Sequence, residues 1–162
     1  MNDKPANSGL ANSCLMFIAA CGYIGYLPGA PGTYASAFGC IIVYFFPFLT
    51  TFYSLPFLCV FVVCSIICIN LLKYDGEDPP YIVIDELVGI FVTMAGHKPT
   101  ILNIFIGFIL FRVFDIIKPY PIRRIERLKG GYGVVADDVL AGIFANLILW
   151  MEHFTLQILR AS

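Results

Sequence analysis

The sequence predicts an all-α fold, a polytopic helical membrane protein built as a bundle of about five to six helices with short loops. Three observations carry that prediction. Hydrophobic residues make up 59% of the 162-residue chain against 13% charged, and the mean hydropathy is +0.85, which lies outside the range of soluble domains. The apolar residues gather into runs close to the roughly 20 that a helix needs to cross a bilayer. Short turns rich in Pro, Gly or charge, such as "PGAPGT" and "HKPT", separate those runs. The formal net charge of -1 says little as a total, because in a membrane protein the placement of charge matters more than its sum. No nucleic-acid partner is expected.

Residues 1–9 read as a polar tail and 10–160 as a single helical membrane domain. The start has one Lys and no convincing cleavage site before the Pro-Gly loop, so it is not expected to be a removed signal peptide. Leu10 to Leu27 is a weaker apolar stretch, a short or interfacial helix, and whether it spans is left open. Tyr34 to Leu49 and Leu55 to Leu72 read as a helical hairpin turned at "TTFYS". "YIVIDELVGIFVTMAG" (81–96) follows. Ile101 to Ile117 begins after "HKPT" and is stopped by Pro119, which cannot extend a helix. "VVADDVLAGIFANLILWMEHF" (134–154) is the last run.

Tracing the crossings decides which ends lie together. With the loop 28–33 on side one, alternate crossings return "KYDGEDPP", Asp115 and the basic loop 118–133 to the same side. Thr33, Asp85, Glu86, Arg112, Asp115, Asp137 and Asp138 are therefore expected near one face. Lys73, Lys118, Arg123, Arg124, Arg127 and Lys129 fall there too, against Lys98 and Arg160 opposite, so the positive-inside bias makes side one cytoplasmic.

Acids inside membrane helices are costly and usually face a cavity, pair with cations or bind metal. "IDELVG" supplies Asp85 and Glu86 with Gly89 one turn on, and "ADDVLAG" supplies Asp137 and Asp138 with Gly142 one turn on. The glycines would let those two helices approach beside their acids. With Asp115 this makes five carboxylates, an all-oxygen set that suits Mg²⁺ rather than zinc. Helix-dipole stabilisation at an N-terminus is the simpler account of any single acid. It fails for Asp115, which sits near a helix C-terminus, with Arg112 and Lys118 three residues away as local partners.

Thr33, after "LPGAP", is a plausible helix N-cap whose neighbouring amides could hold a phosphate, although the same residues also read as a tight turn. Tyr120 and the arginines Arg123 and Arg124 suit anionic headgroups, or simply anchor topology. "GGYG" (130–133) is flexible backbone or a plain turn. His97 and His153 read as interfacial residues. The six cysteines lie in apolar runs with no Cys-x-x-Cys, no nearby His and no Cys-x5-Arg loop, which excludes a zinc framework and that class of phosphatase.

"PGT" with Ser36, "DELVG", "FRVFDIIKPYPIRRIER", "GGYG" and "DDVLAG", in that order over roughly residues 22–150, resemble the phosphatidylglycerophosphatase A family. One departure is Ala35 before Ser36, where the family's loop reads Gly-Thr-x-Gly-Ser. The resemblance implies a membrane enzyme, in the bacterial cytoplasmic (inner) membrane with its site at the cytoplasmic face. It would remove the terminal phosphate of phosphatidylglycerophosphate with Mg²⁺, yielding phosphatidylglycerol. On that reading Asp85, Glu86, Asp137 and Asp138 hold the metal, while Arg112 and Lys118 stabilise phosphoryl oxygens. Asp115 would orient Arg112, bind metal or act as base, and Thr33, Ser36, Arg123 and Arg124 would bind substrate. The partners implied are phosphatidylglycerophosphate and membrane lipids, with a homo-oligomer left open.

Two other classes compete. A cytidine-linked phospholipid transferase needs an Asp-Gly-x2-Ala-Arg pattern that is absent. A small ion or metal carrier, or a scaffold, would spread carboxylates through the membrane depth rather than gather them at one face.

Overall fold

Two parallel helices, α4 (Ile84–Met94) and α7 (Gly131–Ala161), form the centre of the computed structural model, which describes residues 9–72 and 79–161. Their contact is made by backbone. A Cβ on Gly142 would lie 2.6 Å from the Gly89 carbonyl oxygen, and one on Gly89 would overlap the Phe111 ring. Neither position has room for a side chain, which is how small residues let helices meet closely. One turn further along, Asn146 Nδ2 donates to the carbonyls of Val92, Thr93 and Ala95 at 3.2, 2.8 and 2.8 Å. These belong to the end of α4, where a helix cannot satisfy its own carbonyls. Residues 53 apart thus face each other along the pair. The sequence repeats at the same offset, with Asp-x-Leu-x-Gly-Ile-Phe at 85–91 and again at 138–144.

The remaining helices cover this pair. On one side α2 (Pro31–Phe45) and α5 (Ile101–Ile117) bury Val43 and Phe111 against Ile90, Met94, Ala145 and Leu149. On the other, α1 (Leu10–Ala19) and α3 (Leu55–Leu71) bring Ala19, Cys68 and Ile69 against Val88 and Val135. Two 3₁₀ turns within 47–54 close the expected α2–α3 hairpin. The single turn α6 (Ile122–Ile125) links α5 to α7. No strand occurs among the described residues.

Several boundaries differ from the sequence expectation. The weak run 10–27 breaks at Ala19, where Cys21 and Gly22 take φ of 47° and 77°. The ten-residue α1 is about 15 Å long, half a bilayer's hydrocarbon thickness. α4 has 11 residues, fewer than the apolar run 81–96. Tyr81 to Val83 stay outside it, where the Val83 amide donates to the Ala19 carbonyl at 2.9 Å, and Gly96 at φ 82° lies beyond its far end. α2 starts three residues before Tyr34 because Pro31 is preset for a first helical position. α5 matches its run, and α7 is longer than expected. Among the described residues, Phe52–Leu71 and Gly131–Glu152 are long and apolar enough to cross a membrane. Much of the outer surface is apolar as well, including Val60, Val63 and Ile67 on α3 and Phe105 and Ile116 on α5. Most of the polar tail, together with Lys73 and the side chains of His153 and Arg160, lies outside the described residues.

Replacing Gly142 with Val should push α4 and α7 apart and cost about 3 kcal/mol, the upper end of the overpacking range. A thermal midpoint of the purified protein in detergent equal to that of the wild type would contradict the backbone contact.

Candidate active site

Where α2, α4 and α7 begin and α5 ends, the bundle opens into a pocket of about 290 Å³. Gly32, Asp85, Glu86, Asp115, Lys118, Glu126, Asp137 and Asp138 line it. Asp85 and Glu86 occupy the first turn of α4, where the helix N-terminus favours negative charge. Asp137 and Asp138 lie beyond the first turn of α7, so the dipole does not account for them.

One carboxylate oxygen each from Asp85, Glu86 and Asp138 falls within 4.8 Å of the others. Asp85 Oδ1, Glu86 Oε2 and Asp138 Oδ2 are buried and find no hydrogen-bond partner among the described residues. Buried acceptors left unsatisfied are destabilising, and like charges side by side repel. A hard divalent cation relieves both, and three carboxylates without His or Cys are the donors such an ion takes. These residues therefore fit Mg²⁺.

Gly32 explains how α2 comes so close. A Cβ there would overlap Glu86 Oε1 and lie 3.4 Å from Arg112 Nη1. Arg112 is held from two sides, donating from Nη1 to Asp115 Oδ2 at 2.7 Å and to Ser36 Oγ at 3.4 Å. Ser36 in turn donates to the Gly32 carbonyl at 2.8 Å. Opposite, Lys118 Nζ bridges Glu126 Oε1 at 2.6 Å and Asp137 Oδ2 at 2.7 Å. Burial works against the Lys118 charge, but the hydrogen bonds to Asp137 and Glu126 outweigh it and hold the ammonium above the usual lysine range.

The family description Phosphatidylglycerophosphatase A matches residues 17–153, nearly the whole chain and every residue of this pocket. The chain belongs to the phosphatidylglycerophosphatase A family. It is accordingly an enzyme, a phosphatase. Curated relatives named phosphatidylglycerophosphatase A come from Haemophilus influenzae, 37% identical over 80% of this chain and 83% of the relative, and Escherichia coli, 33% identical over 83% and 82%. A Bacteroides thetaiotaomicron protein with the provisional name phosphatidylinositol-3-phosphatase is 37% identical over 82% of this chain and 89% of its own. No solved structure matches.

Against the residues expected from sequence, the chain gathers Asp85, Glu86, Asp115, Lys118, Asp137 and Asp138 at one pocket, with Arg112 paired to Asp115 but outside the lining. Of the two local partners expected for Asp115 one is used, and Asp137 departs from the expected metal set. Asp115 pairs with Arg112 and not with Lys118, because Lys118 leaves the helix in a left-handed conformation (φ 46°) that breaks the three-residue spacing. Asp137 turns to Lys118, so the close trio consists of Asp85, Glu86 and Asp138. Thr33 is not an N-cap: Ala30 is, and half-buried Thr33 sits in the first turn of α2. Ser36 is fully buried, does not line the pocket and touches Arg112 instead. Arg123 and Arg124 are exposed and do not line the pocket. Glu126 was missed; it stands in the most basic stretch of the sequence, and only the reversal at Lys118 and Pro119 brings it back.

Gly32→Ala should displace the Glu86 carboxylate and lower phosphatase turnover about 100-fold, the scale of an ångström-sized misplacement. Turnover within a few-fold of wild type would show that Glu86 needs no such approach.

Proposed function

We propose that this chain hydrolyses the terminal phosphomonoester of phosphatidylglycerophosphate, releasing phosphate and phosphatidylglycerol, in a Mg²⁺-dependent reaction. The observation that carries the reading is the trio of close carboxylates, each with a buried oxygen lacking a partner among the described residues, in a pocket lined by Lys118 and by the Asp115 that holds Arg112. Among the described residues, six carboxyl groups and Lys118 line that pocket and Arg112 pairs with its Asp115, so a phosphate dianion there meets repulsion unless further positive charge is present. Asp85, Glu86 and Asp138 would hold Mg²⁺, which when bound supplies charge neutralisation and lowers the pKa of a bound water.

The chain's own residues do the rest. Arg112, fixed by Asp115 and Ser36, presents a guanidinium to the phosphoryl oxygens, and a planar fork held from two sides loses little entropy on binding. Asp115 orients that guanidinium; its remaining oxygen is the pocket's candidate to take a proton from the attacking water. Lys118 stabilises developing charge from the opposite wall. The reaction breaks the phosphorus–oxygen bond to the lipid and forms one to the water oxygen, and the leaving alkoxide takes up a proton.

A membrane setting is supported by the apolar exterior and the two helices long enough to span. The pocket end carries Lys118, Arg123, Arg124, Arg127 and Lys129, whereas Lys98 stands at the other end, which supports a cytoplasmic site in a bacterial inner membrane. The buried carboxylates Asp85, Asp137 and Asp138 all lie at one end, which speaks against an ion-conducting path.

Purified protein incubated with phosphatidylglycerophosphate should release phosphate, lose that activity with chelator and regain it with Mg²⁺. Asp138→Asn should lower turnover about 100-fold or more, as expected for a group acting in the transition state. Full activity in chelator would sink the metal assignment. Because the Bacteroides relative carries a different substrate name, phosphatidylinositol 3-phosphate belongs in the same assay. A kcat/KM higher on that lipid than on phosphatidylglycerophosphate would overturn the substrate proposed here.

A further inference from the structure

A second concavity, larger than the acidic pocket, lies away from the acids. It is a groove of about 370 Å³ on the outer face between α2 and α5, lined by apolar side chains that include Ala37, Cys40 and Ile41 on one helix and Ile104, Phe105 and Phe108 on the other. The two helices run antiparallel, a register fixed by the Arg112–Ser36 hydrogen bond. On α5, Ile101, Ile104, Phe105 and Phe108 recur at helical spacing, and Arg112 and Asp115 continue the same stripe. On α2 the stripe of Ala37, Cys40, Ile41 and Tyr44 is continued one turn earlier by Thr33. The groove therefore begins about one helical turn, ~6 Å, from Arg112 and Thr33 and leads away from them with no charged residue in its lining.

We propose that this groove binds one acyl chain of the lipid phosphomonoester, with the phosphate at the Arg112 end. The inference rests on the substrate class proposed above and extends it to a tail-binding site. A surface that grades from cation and carboxylate to an apolar trough within one pair of helices complements an amphiphile with an anionic head. Such a trough is also what small-molecule sites use for affinity, leaving orientation to a few polar groups.

Ala37 is exposed on the groove wall, so Ala37→Trp fills the trough without disturbing the core. Val63→Trp, on the exposed face of α3, is the control. Phosphate release is measured on long-chain and dihexanoyl phosphatidylglycerophosphate in mixed micelles. Ala37→Trp should raise the long-chain KM about tenfold, the loss expected when a couple of methylenes are no longer buried. It should leave the dihexanoyl KM unchanged, which also reports that the variant folds, and Val63→Trp should change neither. In parallel, a phosphatidylglycerophosphate with a photoreactive group in mid-chain should label wild-type α2 and α5 within 37–45 and 101–108, in competition with unlabelled lipid. Equal effects of the two Trp variants on the long-chain KM, labelling spread evenly over α3, or a crosslinked dimer through the Ala37 face would each overturn the groove. If wild type releases no phosphate from either lipid, the substrate reading falls, and the labelling pattern still decides the groove.

Discussion

The backbone contact between α4 and α7 at Gly89 and Gly142 is the constraint on which the rest of the structure depends. Parallel helices that touch at one glycine pair must have their preceding turns equally close. In this protein the residues one turn back are Asp85 and Asp138. The same register carries Asn146 onto the carbonyls ending α4, so the pair is held by packing at its middle and by hydrogen bonds at its far end. Attraction between the acids contributes nothing to this arrangement. The carboxylates are brought together by a contact elsewhere, which is why they can stand closer than they would choose in isolation.

That forced proximity makes the surrounding charge arrangement intelligible. Each basic side chain at the pocket serves a carboxylate outside the close trio: Arg112 holds Asp115, and Lys118 holds Asp137 and Glu126. Among the described residues the trio itself receives no basic partner, although Arg112 Nη1 comes near Gly32, against which Glu86 packs. A network that balanced every charge internally would be a structural ion-pair cluster. Three carboxylates left close together, each with an oxygen unpartnered among the described residues, are instead what supports the proposed Mg²⁺.

Much of this was legible in the sequence, and for a physical reason. Burying Asp or Glu inside an apolar run is costly enough that its presence points to a site, and counting crossings is enough to bring those acids to one end. The glycines one turn after Asp85 and Asp138 announced the close contact, and the repeated Asp-x-Leu-x-Gly-Ile-Phe carries its register. What could not be read depends on backbone choices that leave no periodic trace. The break after Ala19, the short α4 and the left-handed Lys118 each redirect the chain within a run or at its edge. Hydropathy sees only that the run is apolar. Glu126 and the burial of Ser36 follow from such local turns, so pattern reasoning passed over the first and misjudged the second.

Lys118 also limits what the pocket can offer an anion. An ammonium has three N–H donors, and Glu126 and Asp137 take up two of them. At most one is left to point at a ligand while the turn from α5 to α7 keeps its shape. Arg112 has five N–H donors, and with Nη1 given to Asp115 and Ser36 it adds three, the buried Nε–H and the two on Nη2. A phosphomonoester presents three strongly accepting terminal oxygens, each able to take more than one hydrogen bond, so these donors leave part of that capacity unmet. The shortfall lies in hydrogen-bonding valence rather than in volume, so a larger cavity would not remedy it.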